Sequence, residues 1–286
     1  MLDVHEIDVP TRLRQDMPVV LVLGLGTGGL LNGIANIAMH GWGWDAHAYY
    51  LAARQLDYSR LPNTVDAYLY SPVFAQALRP AALLPWPVFA ALWSVVAFLS
   101  LAWILRDVRW PMRFALLYAA LPEVASGNVH WLIAVALAGA IRRPSLWALP
   151  ALTKIGPAVG MAWFLFRGEW GRLASALAVP LSVAGISYLV DPAAWHSWGD
   201  LLLRSLVEPN PGAVQFVPPA PFRLAGALVI TAYAASTSRR WLLAVAACLA
   251  SPNWALPALV ILYAIPMLRI QEAASTKGRD VIPSAL

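Results

Sequence analysis

The residues able to do chemistry stand at a few polar points in an otherwise apolar chain. Asp45 lies in HGWGWDAHAYY, directly after an apolar run that ends near Met39. A carboxylate there sits where a membrane helix emerges into water. Trp42 and Trp44 beside it thin out its water, which raises a carboxyl pKa toward the range of a general base. Lys154, in TKIGP, is a lone cation in an apolar segment. At bilayer depth a lysine costs about 2.5–3.5 kcal/mol, so it should be paired or face a wet cavity. Pro157 just beyond it opens the helix and frees carbonyls, as expected beside a ligand. His196 and Arg204, in a second polar stretch, are of the types that hold a phosphate.

Each has a plainer reading. Asp45 suits the N-cap of a helix over AHAYYLAARQL. Lys154 can snorkel, or pair with Glu123 for structure alone. Glu123 and His130, flanking the Gly127–Asn128 turn, have a stronger structural reading still. His40 and His47 flank Asp45, yet one carboxylate and two histidines with no matching spacing downstream do not make a metal site. No metal and no cofactor is expected.

The elements that must position these residues are membrane helices. The chain is 60% hydrophobic and 12% charged over 286 residues, with 14 tryptophans. Soluble domains carry roughly twice that charged share. So few charges cannot cover a water-facing surface, and the expected fold is an all-α, polytopic membrane bundle. The net charge of +5 sits mostly on arginines in short connections, which suits anionic lipid headgroups. No basic stripe gathers for nucleic acid. The single Cys248 lies in an apolar run, which excludes an internal disulfide.

At about 20 apolar residues per crossing, fewer where helices lie half inside protein, ten segments stand out. They cover 18–39, 70–84, 88–105, 112–125, 128–141, 146–166, 173–190, 222–235, 241–250 and 254–268. The 70–84 segment, short and holding Arg79 and Pro80, has an interfacial alternative. The organisation is then a cytoplasmic tail 1–17, a membrane domain 18–268 with external loops 40–69 and 191–221, and a cytoplasmic tail 269–286. The tail mixes both charge signs, unlike the head of a signal peptide, so the first run reads as a retained helix. This topology places Arg167, Arg172, Arg239 and Arg240 inside, as the charge rule prefers. It places Arg106, Arg109, Arg142 and Arg143 outside, which the same rule disfavours. Gly24, Gly26 and Gly29 spell G-x-G-x-x-G, but no second strand follows and no strand–helix alternation supports a nucleotide fold. They read as close-packing glycines of a membrane helix.

Several of these residues also recur in a family's order. Asp45-Ala-His-Ala-Tyr49-Tyr50, Ala52-Ala53 and Tyr68-Leu-Tyr70-Ser-Pro72 resemble the first external loop of glycosyltransferase family 87. Gly127-Asn128, Lys154-Ile-Gly-Pro157 and Ser251-Pro252-Asn253-Trp254 resemble that family's GN, K-x-x-P and S-P-x-x-W elements. Members are usually longer, and often carry a histidine where Ala-Leu-Pro follows Trp254 here. The resemblance implies a GT-C-type enzyme that moves mannose or a related sugar from polyprenyl phosphate to a lipid-linked or cell-envelope glycan. It implies Asp45 as the general base, and Lys154, His196 and Arg204, in falling order, at the donor phosphate. His47, Tyr49, Tyr68, Tyr70, Asn128 and Trp254 would line the sugar or acceptor pocket. The expected location is a bacterial plasma membrane, with the site on the extracytoplasmic face. The rival readings are a transporter or flippase for a lipid or small anion, with Lys154, Glu123 and Arg79 along its path, and a catalytically silent subunit.

Overall fold

Proline writes many of the helix starts in this chain, because its fixed φ and missing N–H suit a first turn. Pro72, Pro87, Pro111, Pro122 and Pro221 all fall at the first or second helical position. The computed structural model describes residues 9–62, 64–207, 218–252 and 256–280, with no strand among them. In chain order the helices are α1 (Val9–His40), α2 (Trp44–Arg54), α3 (Pro72–Leu78), α4 (Trp86–Ile104), α5 (Trp110–Ala119), α6 (Leu121–Ser126) and α7 (His130–Ala140). Then follow α8 (Ala148–Leu152), α9 (Ala162–Phe166), α10 (Trp170–Val190), α11 (Pro192–Val207), α12 (Ala220–Thr237), α13 (Leu242–Leu249) and α14 (Ile265–Asp280). Short 3-10 turns link several of them, the longest being Leu256–Ala264.

Four helical runs are long and apolar enough to cross a membrane: Asp16–His40, Trp86–Ile104, Trp170–Val190 and Leu256–Ala274. Their outward side chains are large and apolar. Leu25 and Leu189 are 69% and 80% exposed, a surface that suits lipid rather than water. The glycines of α1 pack closely, as the sequence suggests: a Cβ on Gly26 would lie 3.0 Å from Ala119.

The two ends of the bundle differ in chemistry. At one end Arg167 donates to the Ala235 carbonyl, Gln271 to that of Ala138, and the Arg240 N–H to Glu272. Arg142, Arg167 and Arg172 lie near enough to act on the charge of Arg240. Val108, just after Arg106, packs in one apolar cluster with Met267, which places the Arg106–Arg109 turn at this end too. The other end carries α2, α3, α11 and an aromatic cluster built on Tyr49, Tyr68, Tyr70 and Phe74.

This arrangement corrects the expected topology. Residues 70–84 fold into the seven-residue α3 and one 3-10 turn, too short to cross. Residues 146–166 are no single helix either. Helix α8 leaves the arginine end, the chain breaks at Thr153–Lys154, and a 3-10 turn with α9 leads back to Arg167. A second pair, α13 and the run from Leu256, likewise starts and finishes among the arginines. The two pairs touch at their bends, where a Cβ on Gly156 would lie 2.0 Å from the Ala250 carbonyl oxygen. With these changes Arg106, Arg109, Arg142 and Arg143 join Arg167, Arg172 and Arg240 at one end, while Arg54, Arg79 and Arg204 lie at the other. Helices α1 and α14 also extend into the stretches read as tails.

Candidate functional site

Two glycines set the site. Gly43, at φ 73, turns the chain out of α1, and its N–H donates to the Ala125 carbonyl at 2.8 Å. Helix α2 then starts at Trp44. Asp45 therefore lies in the first turn and makes no side-chain cap; the cap position belongs to Gly43. A carboxylate still favours that place, because the helix dipole is positive there. Gly127 ends α6, also at φ 73, and sits so close to α2 that a Cβ would fall 2.5 Å from that of Ala46. Trp93 fastens the same turn, donating from Nε1 to the Gly127 carbonyl at 2.8 Å.

With the turn pressed on α2, Asn128 meets Asp45. Its Nδ2 donates to Asp45 Oδ2 at 2.8 Å, and its Oδ1 accepts from Lys154 Nζ at 3.1 Å. The carboxylate can only accept and the ammonium can only donate, so the amide has one orientation. Lys154 Nζ lies 2.7 Å from His130 Nε2, and His130 Nδ1 lies 3.0 Å from Glu123 Oε2. The Lys154 ammonium also stands over the Tyr70 ring, 5.8 Å from its centroid. An unbroken chain of five polar side chains thus runs from α2 through the 127–129 turn and the bend at Lys154 to α7 and α6.

Asp45 is half-buried. Loss of water pushes its carboxyl up from 3.8 to about 6, against the opposing pull of the Asn128 hydrogen bond and the Lys154 charge. A carboxylate with that value is ionised near neutrality yet basic enough to take a proton. An acid and a cation held apart by one amide can divide labour: the carboxylate accepts a proton while the ammonium faces developing negative charge.

The other residues named from the sequence go elsewhere. His47 turns away from Lys154, with Nδ1 2.7 Å from Asp66 Oδ1 and its ring against Trp86. It lines a cavity of about 570 Å³ between the ends of α1 and α4. Tyr49 and Tyr68 are core residues whose hydroxyls are spent within the protein, on the Tyr70 hydroxyl and the Ser71 carbonyl. His196 is exposed on α11 against Tyr188. Arg204 donates to the Tyr58 carbonyl in a groove shared with Asp57, Asp191 and Asp200, a setting less suited to an anion. Arg79 is exposed at the end of α3, away from the buried charges a transport path would need. Trp254 lies outside the described residues. No group of three or more metal-ligating side chains is found among the described residues.

Sequence reasoning undervalued Glu123 and His130, whose mutual contact depends on the bend between α6 and α7. It missed Arg223, which donates to the carbonyls of Pro218, Leu249, Ser251 and Pro252 and so holds the turn that leans on Gly156. A lone arginine just inside an apolar run was the available signal.

An apolar helical bundle with a partly buried acid–amide–cation chain at one end defines a membrane protein with a polar reaction or binding centre. Residues 68–277, well over half of the chain, match glycosyltransferase family 87, and the chain belongs to that family. It is also 25% identical over 213 residues to a polyprenol-phosphate-mannose-dependent alpha-(1-2)-phosphatidylinositol pentamannoside mannosyltransferase of Mycolicibacterium smegmatis. That match covers 65% of this chain and 52% of the relative, so the chain spans about half the length of the curated protein it resembles. No solved structure matches. Asn128, Glu123, His130 and Lys154 fall within the family match; Asp45 precedes it.

Proposed function

We propose that the chain is an integral membrane glycosyltransferase of GT-C type. It transfers a sugar, mannose or a close relative, from a polyprenyl-phosphate donor to a lipid-linked or cell-envelope glycan. The observation that carries this reading is the single Asn128 side chain joining Asp45 to Lys154. The fold is taken as ten membrane-embedded segments, six of them crossings and four the limbs of the two pairs that bend at Lys154 and near Ser251. By the charge rule the arginine end is cytoplasmic, which makes the Asp45 end extracytoplasmic, in a bacterial plasma membrane.

In the reaction an acceptor hydroxyl attacks the anomeric carbon while Asp45 takes its proton. The bond from that carbon to the lipid phosphate oxygen breaks, and the phosphate leaves as an anion beside Lys154. General-base help of this kind contributes about 10²–10⁴-fold. Tyr70 and Asn128 line the sugar site, with Tyr49 and Tyr68 as its backing. The cavity by His47, which continues down α4 past Ala91 and Val95, suits the apolar part of a lipid substrate. His47 and Trp254 are assigned to the sugar or acceptor pocket, Trp254 on its sequence motif alone. Arg204 stands second to Lys154 because three carboxylates share its groove, and His196 because it is exposed on α11 against Tyr188.

The test supplies membranes enriched in the protein with a radiolabelled polyprenyl-phosphate sugar and a membrane extract as acceptor. Transfer by the wild type and by Asp107→Asn, an exposed change at the arginine end, with loss in Asp45→Asn, is the expected result. Uptake or flipping of the label without transfer would replace this reading with the transporter.

A further inference from the structure

We propose that Glu123 and His130 form a positioning dyad that aims the Lys154 ammonium at the reaction centre; this rests on the reading of Lys154 as the cation of the donor phosphate. Nothing in the family match assigns either residue a part.

The argument starts from what each atom can donate. Glu123 and His130 are almost wholly enclosed, their side chains 0% and 2% exposed. Glu123 Oε1 accepts the backbone N–H of His130 at 2.8 Å and that of Trp131 at 3.4 Å, at the start of α7. Those bonds lock the carboxylate in place. Its second oxygen, Oε2, then faces His130 Nδ1 at 3.0 Å. A carboxylate only accepts, so Nδ1 carries the hydrogen and Nε2 keeps a free lone pair. That lone pair meets Lys154 Nζ at 2.7 Å, and an ammonium has only hydrogens to give. The opposite tautomer would set an N–H against the ammonium. A single assignment therefore satisfies every atom from Glu123 to Lys154.

Capping α7 requires Oε1 alone. The second oxygen, the imidazole and the lysine go beyond what the helix needs. Without His130 the ammonium would keep Asn128 Oδ1, which already accepts the Val129 N–H at 2.8 Å. With both contacts made, two of the three ammonium hydrogens have fixed directions. The third is then fixed by tetrahedral geometry and is the one left for a phosphate oxygen. Holding a long lysine in one geometry before substrate arrives removes the entropy cost that a free side chain bears on binding.

Two measurements test the dyad. Steady-state transfer by the full-length protein is compared among Glu123→Gln, His130→Ala, His130→Asn and His130→Gln. Losing the orienting bond raises the donor KM by about tenfold or more in Glu123→Gln, His130→Ala and His130→Asn, with the acceptor KM unchanged. His130→Gln stays close to wild type, because its amide oxygen reaches the Nε2 position and accepts from Lys154. A merely structural pair would lower the melting temperature and the amount of active protein, with the donor KM unmoved, and that outcome overturns the proposal. The second measurement is 15N NMR of histidine-labelled protein in detergent, the His130 signal being identified by its loss in His130→Gln. The Nδ1–H tautomer is expected, and it should persist in Lys154→Met, because Glu123 Oε2 still accepts from Nδ1. An Nε2–H tautomer in the wild type would sink the dyad. Absence of any transfer by the wild type would sink the proposed function while leaving this second measurement decisive for the dyad.

Discussion

Gly127 rests on Ala46 with no room for a methyl group between them, since a Cβ at 127 would come within 2.5 Å of the alanine's own. Ala46 follows Asp45 and Gly127 precedes Asn128, so this one contact sets the 2.8 Å bond between the carboxylate and the amide. The geometry of the Asp45–Asn128 contact is thereby tied to a backbone approach that glycine alone allows.

Gly127→Ala should therefore unfold more easily and lose transfer together. The left-handed backbone at φ 73 costs an alanine about 1–2 kcal/mol before the collision is counted. Gly28→Ala, where nothing lies within 4 Å of the added carbon, is the control. Thermal melts of the two purified variants decide it. Equal melting temperatures would mean that the contact does not hold α2.

The raised Asp45 carboxyl predicts a pH dependence. Its ionised form is the base, so kcat/KM should climb as pH rises through about 6 and then level off. Asp45→Asn keeps an acceptor for Asn128 but loses about 10²–10⁴-fold in rate and shows no such limb. Stability moves the other way. Between 3.8 and about 6 the folded protein holds a proton that the unfolded chain releases, so this group's contribution falls as pH rises through that window. The Asn variant should accordingly gain more melting temperature over wild type at pH 7.5 than at pH 4. An equal gain at both would place the carboxyl in water.

Lys154→Met preserves the length of the side chain and removes its charge. Folded protein should accumulate normally, while use of the donor weakens by about 10-fold or more as a charge-assisted contact is lost. Since the lysine lowers the Asp45 value, the acid limb of the pH profile should also move to higher pH in this variant. Loss of folded protein instead would assign Lys154 to structure.

Orientation is open to labelling. In a Cys248→Ser background, Asp200→Cys should react with an impermeant thiol reagent on intact cells, and Arg143→Cys should react only after lysis. The reverse pattern would put the Asp45 end in the cytoplasm.

The readable part of the site was the part written in single residues. Asp45, Asn128 and Lys154 each stand out as a polar group in apolar surroundings, and each is found in the polar chain. What escaped was pairing across the fold. His47 and Asp45 are two residues apart on α2 and so face different neighbours, one Asp66 and the other Asn128. Arg204 shares its groove with Asp200 on its own helix and Asp191 just before it, and only the fold added Asp57.

Composition and hydropathy alone determined that this is a helical membrane protein, because a chain with so few charges has no other way to hide its surface. Five helices carry a proline in their first two positions, a start signal present in the sequence itself. Hydropathy could not reveal that 146–166 turns back on itself, since both limbs of a bend in protein are as apolar as one straight span. Tertiary contact decided that point: the lysine at the bend has its partners on α7 and beside α2, and a straight helix would carry it past them.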